Sequence, residues 1–291
     1  MSTMRTLIKY GLQPTVTLVV LALWASDPES LWLFPAVLVG LQLLLGVLEV
    51  LYPRQRSWIQ GPSEKAVLVT VFFVTGVFGV AAVEPLYAET VRPALDAIRA
   101  ALGLDVWPHQ WPLMLQALLA FFLSEFIWYW IHRAEHRWHG FWRLSGHGSH
   151  HAFHNLNAIN ATANHPLEIL LVLSLPAAIV ELVFGAGAAI GGSVLLLITQ
   201  AFMAHANLDL NTRVIGWLFT VNRYHIHHHS AVLAESNTNF GCGAIVWDRL
   251  FGTFSDADTQ QTGTGPTQPS LWRIFLMPYR EPEDTQTAPP R

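Results

Sequence analysis

The stretch from Trp111 to His151 reads WPLMLQALLAFFLSEFIWYWIHRAEHRWHGFWRLSGHGSHH. Its first part, Trp111 to Ile131, is mostly apolar and about 20 residues long, the length a helix needs to cross a bilayer. Glu125 is the one charge inside it. The apolar run passes directly into His132-Arg-Ala-Glu-His136, and His147-Gly-Ser-His150-His151 follows. A third group, His225-Ile-His227-His228-His229, lies further on. Histidines at i, i+3 and i+4 share one helix face, so their imidazoles can converge. Neutral imidazole is a good ligand for iron, zinc or copper. Eight imidazoles from three segments exceed what one ion uses, which points to two ions, and His205 is a ninth candidate.

On a helix, successive residues advance by about 100°. With His225 at zero, His228 falls near −60° and His229 near +40°, whereas His227 falls near 200°, on the far side. His227 is therefore expected outside the metal centre. His139 and His154 return to the ligand face if their helices continue, and the wheel does not exclude them.

Outside this stretch the composition is that of a membrane protein. Hydrophobic residues make up 52% and charged residues 12% of the 291, where a soluble domain carries about 25% charge. A net charge of −4 argues against nucleic acid as a partner. The single cysteine, Cys242, excludes an internal disulfide framework, a four-Cys zinc site and an iron–sulfur cluster. There are 14 histidines, and all but His109 lie between His132 and His229.

Four spans are expected: Tyr10 to Ala25, Leu31 to Tyr52, Ala66 to Tyr87 and Trp111 to Ile131. Arg5 and Lys9 precede the first, which lacks a small-residue cleavage site and reads as retained. Ala88 to Trp107 is amphipathic and reads as interfacial. Pro166 to Asn207 reads as a helical hairpin, interrupted by Glu181 and by Gly185, Gly187, Gly191 and Gly192. The fold class is thus an all-α membrane protein: about four transmembrane helices plus a hairpin, with a cytoplasmic helical cap holding a histidine-rich dimetal site. Residues 1–108 form the N-terminal transmembrane and interfacial region, 109–256 the histidine-bearing region, and 257–291 a Thr/Gln/Pro-rich, disordered tail. Lys9, Arg56, Arg143 and Arg223 fall on one side of this arrangement with the histidines, and the positive-inside rule makes that side the cytoplasm.

Other metal proteins fit less well. A zinc metalloprotease needs His-Glu-x-x-His, and here Glu135 precedes the second histidine instead. Haem would call for single axial histidines inside spans. A metal transporter would hold ligands at the bilayer midplane, and it stays as the non-enzyme alternative.

The order of motifs resembles the fatty acid hydroxylase / sterol desaturase superfamily of membrane di-iron proteins. Supporting stretches are Trp128-Tyr129-Trp130, His165-Pro166-Leu167-Glu168, His205-Ala206-Asn207, Asn239-Phe240-Gly241 and Trp247 to Thr253. The resemblance covers about residues 110 to 254. It implies His132, His136, His147, His150, His151, His205, His225, His228 and His229 as metal ligands. His165 matches a recurring position and joins them as a candidate, with a loop histidine fixing the turn before Pro166 as its other reading. Some members carry a further histidine where this chain has Asp209, which stands as a carboxylate ligand, a partner of a ligand, or neither. Glu125, one turn before His132, is a candidate for orienting a ligand histidine, because intramembrane carboxylates are costly and often functional.

The resemblance further implies two Fe ions, zinc being able to replace them in purified protein, with O2 as co-substrate. The expected reaction is hydroxylation of a membrane lipid or other apolar substrate, with desaturation by the same site as the alternative. Electrons come from an external ferredoxin, cytochrome or reductase. The expected location is a bacterial inner membrane, multi-pass, with the metal site facing the cytoplasm.

Overall fold

The computed structural model describes residues 3–30, 32–78, 84–104, 106–169, 174–211, 213–259 and 261–270, together with 272, 273, 276 and 279. Among the described residues the chain is helical without a strand; its one isolated bridge joins Ser230 and Thr262. Three helices are long and apolar enough to cross a membrane: α1 (Thr3–Ser26), α2 (Leu33–Leu51) and α5 (Leu113–Arg137). Between α2 and α5 come α3 (Pro62–Phe78) and the amphipathic α4 (Arg92–Leu102). Two short helices, α6 (His139–Ser145) and α7 (His147–His151), follow α5. Then come α8 (Ser174–Phe184), α9 (Ala189–His205), α10 (Asn222–His228) and α11 (Val246–Phe251).

α5 starts after Pro112 and has no glycine or proline inside, so nothing interrupts its 25 residues and it carries the first histidine pair on its last turns. α1 begins earlier than the apolar run foretells. A π-helical turn at Ile8–Leu12 precedes Pro14, and a widened turn relieves the clash between a proline ring and the carbonyl four residues back. The expected span from Ala66 to Tyr87 corresponds to α3, whose described part stops at Phe78; residues 79–83 lie outside the described residues. The hairpin is present as α8 and α9, 11 and 17 residues long, both shorter than a full crossing.

α9 sits at the centre, with α1, α2 and α5 around it. Polar side chains set its register against α1. Gln13 Nε2 donates to Gln200 Oε1 at 2.9 Å, and Gln200 Nε2 donates to Thr17 Oγ1 at 2.8 Å. Such bonds fix helix pairs where burial alone gives little preference. The buried Glu181 in α8 is accounted for similarly: it accepts from Arg99 of α4 at 3.1 Å and from the Gly187 amide at 2.7 Å.

The helix ends meet in a definite order. Gly192, near the start of α9, lies against Trp24 at the end of α1 and Ala117 at the start of α5. At the opposite end, Lys9 pairs with Asp209 at 2.8 Å, and the Arg54 amide donates to the Asn207 carbonyl. Glu49, on the last turns of α2, accepts from the Ala158 and Asn207 amides at 2.9 and 2.8 Å. That second end carries all the histidine motifs, so the site forms an end cap on the bundle.

The start of the expected disordered tail is ordered against this cap. Thr259, Thr262 and Thr264 are buried. The Gly263 amide donates to the His229 carbonyl, the Ala231 amide to the Gln261 carbonyl, and Thr262 Oγ1 to the His154 carbonyl. Threonine and glutamine, read from composition as solvated, here satisfy loop backbone groups over the cluster.

A Cβ on Gly192 would stand 2.6 Å from the Trp24 ring and 2.8 Å from the Ala117 Cβ. Gly192→Leu is expected to cost at least about 1–3 kcal/mol through overpacking, read as a lower thermal midpoint in detergent. Gly40→Ala, with nothing within 4 Å of the added carbon, should leave the midpoint unchanged or slightly raised.

Candidate metal centre

Nine histidines come together as two adjoining groups, one of His132, His136, His147, His151 and His228, the other of His150, His205, His225 and His229. Within each group one ring nitrogen per residue lies within 4.8 Å of all the others, and every member is buried. α5 supplies His132 and His136, and α9 supplies His205. Each His-x-x-His-His motif serves both groups. His147 and His151 join the first group while His150 joins the second; His225 and His229 join the second while His228 joins the first. The three rings of a motif share a helix face but do not meet at one point. Residues i and i+4 differ by about 40° on a helix while i+3 lies about 100° from i+4, so one helix addresses two neighbouring points.

The ring orientations are set from behind. His132 Nδ1 lies 2.6 Å from the Phe240 carbonyl, His228 Nδ1 2.8 Å from the Thr238 carbonyl and His205 Nδ1 2.8 Å from the Ala201 carbonyl. A carbonyl only accepts, so each Nδ1 carries the proton and each Nε2 presents a lone pair. Those Nε2 atoms face one another. His132 and His228 are 3.0 Å apart, His132 and His147 2.9 Å, His136 and His147 3.1 Å. In the second group His205 lies 3.1 Å from His225 and 3.2 Å from His150. The fixed tautomers of His132 and His228 leave no hydrogen between their Nε2 atoms. Nitrogens about 2.1 Å from one ion and at right angles to each other stand about 3.0 Å apart, so the donor set has the dimensions of a coordination shell. His151 agrees with this: it is buried and neither ring nitrogen has a hydrogen-bond partner. Burial first, and neighbouring imidazoles second, push the proton affinities of His151, His228 and His229 well below the ordinary value of 6.5. Their lone pairs are free for a metal at neutral pH.

Two carboxylates back His147, whose Nδ1 is 2.7 Å from Glu168 Oε1 and 3.6 Å from Glu135 Oε2. Burial, reinforced by Glu135, holds Glu168 well above the usual carboxylate range, and a cation held by the cluster would favour its ionised form. A carboxylate behind a ligating imidazole fixes its tautomer and raises its basicity. Glu135 and Glu168 were legible as members of quoted motifs, yet nothing in their spacing assigned them this role. Gly146 makes the placement possible. It adopts φ +77 between α6 and α7, and a Cβ there would lie 2.6 Å from the Cβ of His165.

The remaining candidates lie elsewhere. His165 is in neither group; its Nδ1 accepts from the Leu167 amide at 3.1 Å, capping the turn that presents Glu168. This cap is the turn-fixing role that stood as the other reading of His165. Asp209 is paired with Lys9 and half exposed, outside every cluster of metal-binding groups. Glu125 touches no histidine. Its Oε2 accepts from the Gly243 and Ala244 amides at 2.7 and 2.9 Å, so its effect on His132 runs through the loop that carries Phe240. Asp248 grips the same loop, accepting from the Phe240 and Gly241 amides at 2.7 Å each. Burial raises Asp248 to about 6. His227 lies outside both groups, with Nδ1 2.7 Å from Thr259 Oγ1 and Nε2 3.0 Å from Ser255 Oγ.

These positions separate two neighbouring substitutions. His228→Ala should lose most of the metal bound at the first group, whereas His227→Ala should keep it and cost about 1 kcal/mol of stability from its lost hydrogen bonds. Metal analysis of both purified variants checks this, and equal loss from the two would overturn the assignment.

The fatty acid hydroxylase family model matches residues 117–253. Ornithine lipid hydroxylase OlsE of Rhizobium tropici is 32% identical over 238 residues, covering 79% of this chain and 69% of that protein. Alkylglycerol monooxygenase of Homo sapiens is 26% identical over 160 residues, 52% of this chain and 33% of that protein. The Xenopus tropicalis alkylglycerol monooxygenase is 25% identical over 140 residues, 47% of this chain and 30% of that protein. The chain therefore spans about a third of the length of the alkylglycerol monooxygenases it matches. No solved structure matches. The matched segment runs from the apolar turns of α5 through all nine clustered histidines to the end of α11, and the chain belongs to the fatty acid hydroxylase family.

Proposed function

We propose that this chain is a membrane-bound di-iron oxygenase that hydroxylates a lipid, with ornithine lipid as the first substrate to test. The observation that carries the reading is the division of nine buried imidazoles into adjoining groups of five and four. Soft sulfur ligands are absent from both groups, and an all-imidazole set suits iron, copper or zinc. A pair of irons bound there would supply the O2-dependent oxidising power for an unactivated C–H bond. The residues do the rest. The Phe240, Thr238 and Ala201 carbonyls hold three rings in one tautomer, and Glu168 and Glu135 hold a fourth. Trp128, stacked on His132 at 5.0 Å between ring centres, and Trp142, 5.1 Å from His136, wall the cluster with apolar surface and limit water. Hydroxylation is preferred over desaturation because the relatives bear the names of a hydroxylase and monooxygenases. Reducing equivalents come from an external donor.

Protein purified without chelator or added metal should hold near two metal equivalents, zinc included, since the Irving–Williams order favours zinc over ferrous iron at nitrogen sites. Iron-loaded protein with reductant, O2 and ornithine lipid should give a product heavier by one oxygen. One equivalent or less of metal would remove the dinuclear reading. Loss of two hydrogens in place of a gained oxygen would make the enzyme a desaturase.

The histidine end also collects Lys9, Arg54, Arg133 and Arg223, and we read that end as cytoplasmic in a multi-pass chain. Reporter fusions after Arg56 and Arg143 should both read cytoplasmic, and one near Asp105 should read on the opposite side. Asp105 and Arg143 reporting the same side would show that α5 does not cross.

A further inference from the structure

A recess outside the histidine cluster is lined by Glu49, Trp58, Gln60, Lys65, Asn157 and Asn207, with Val50 and Ile59. It is narrow, with about 10 Å³ of cavity, room for one water-sized group such as an ammonium, and it is open on one side. It adjoins the metal end, because Asn207 follows His205 by two positions and is bound through its amide to Glu49. Glu49 sits in the last turns of an otherwise apolar membrane helix and is 8% exposed. Both N–H bonds it accepts fall on Oε1, which leaves Oε2 for another donor. Gln60 is 7% exposed, and its Oε1 is buried with no hydrogen-bond partner. A buried acceptor without a donor is costly to keep, so this atom calls for a donor from outside the chain. Lys65, half-buried, adds a positive charge to the same lining.

We propose that this recess binds the polar headgroup of the lipid substrate, and that the headgroup carries a primary ammonium beside an anionic group. The ammonium has three donors and no acceptor; Glu49 Oε2 and Gln60 Oε1 are the acceptors that fit it. Lys65 would repel a purely cationic headgroup and meets the anion of a zwitterionic one. A neutral headgroup leaves Glu49 and Lys65 without partners, and buried polar groups left unpaired are what make such sites discriminate. Anchored there, the headgroup holds the rest of the lipid beside the histidine cluster. This rests on the lipid hydroxylase reading for the substrate but not for the binding itself.

The test is equilibrium binding of ornithine lipid in detergent micelles, compared with the same lipid N-acetylated on its free amine and with free ornithine. Both metal-loaded and metal-stripped full-length protein are used. Wild type should bind ornithine lipid at least about tenfold more tightly than the acetylated lipid, from the lost charge-assisted bonds. Gln60→Leu, which removes an acceptor that bonds nothing within the protein, should lower that ratio several-fold without lowering the thermal midpoint. Glu49→Gln keeps an oxygen for the Ala158 and Asn207 amides and should lower the ratio through loss of charge. Wild type treating the two lipids alike, or Gln60→Leu keeping the wild-type ratio, overturns the proposal. Free ornithine binding as tightly as the lipid overturns it in favour of a soluble amine. Discriminating binding without oxidation of the lipid would refute the hydroxylase reading and leave the recess assignment standing. Oxidation without headgroup discrimination would do the reverse.

Discussion

Everything at the histidine end depends on the repulsion between imidazole lone pairs that point at one another. His132 and His228 each donate their Nδ1 proton backwards, and their Nε2 atoms then meet at 3.0 Å with nothing to share. Rings held this way would separate unless the framework behind them were rigid or a cation stood between them. The protein supplies rigidity in α5 and α9, two long uninterrupted helices packed side by side from Ala117 and Gly192 to the histidines. A cation between the rings turns the same repulsion into coordination.

The framework behind the rings is mainly backbone. The loop from Thr238 to Ala244 offers two carbonyls to His228 and His132, and its amides are held by Asp248 and Glu125. Thr220 adds a bond from its hydroxyl to the Gly241 carbonyl. A buried carboxylate without a cation partner is costly, and accepting two amide bonds offsets part of that cost. Glu125 and Asp248 thus act on ligand geometry at one remove.

The clustered ligands and the spans were legible because both are local patterns: histidine offsets within a helix turn, and apolar runs of a set length. The division of each His-x-x-His-His motif between two groups was not, because a helical wheel gives angles and no partners. His165 stood as either a ligand or a histidine fixing the turn before Pro166, because sequence shows residue type but not which ring nitrogen caps Pro166–Glu168. Asp209 was a candidate by its place in a motif, and Lys9, far away along the chain, claims it. The packing of Thr259 and Thr262 over the histidine helix was hidden because polar residues that satisfy buried backbone read the same as polar residues in solvent.

The long sequence separation of the ligands has a consequence for biogenesis. His132 and His228 meet across 96 positions, and residues as late as Gly263 bond the His229 carbonyl. A ribosome therefore releases the first ligand pair long before its partners exist, and α9 must be in place before His205 can join them. A complete ligand set therefore forms only after the chain as far as His229 has been made. Until then the histidine pairs stand incomplete, and an ion held by the cluster would meet its full set of nitrogens only when the last segments dock.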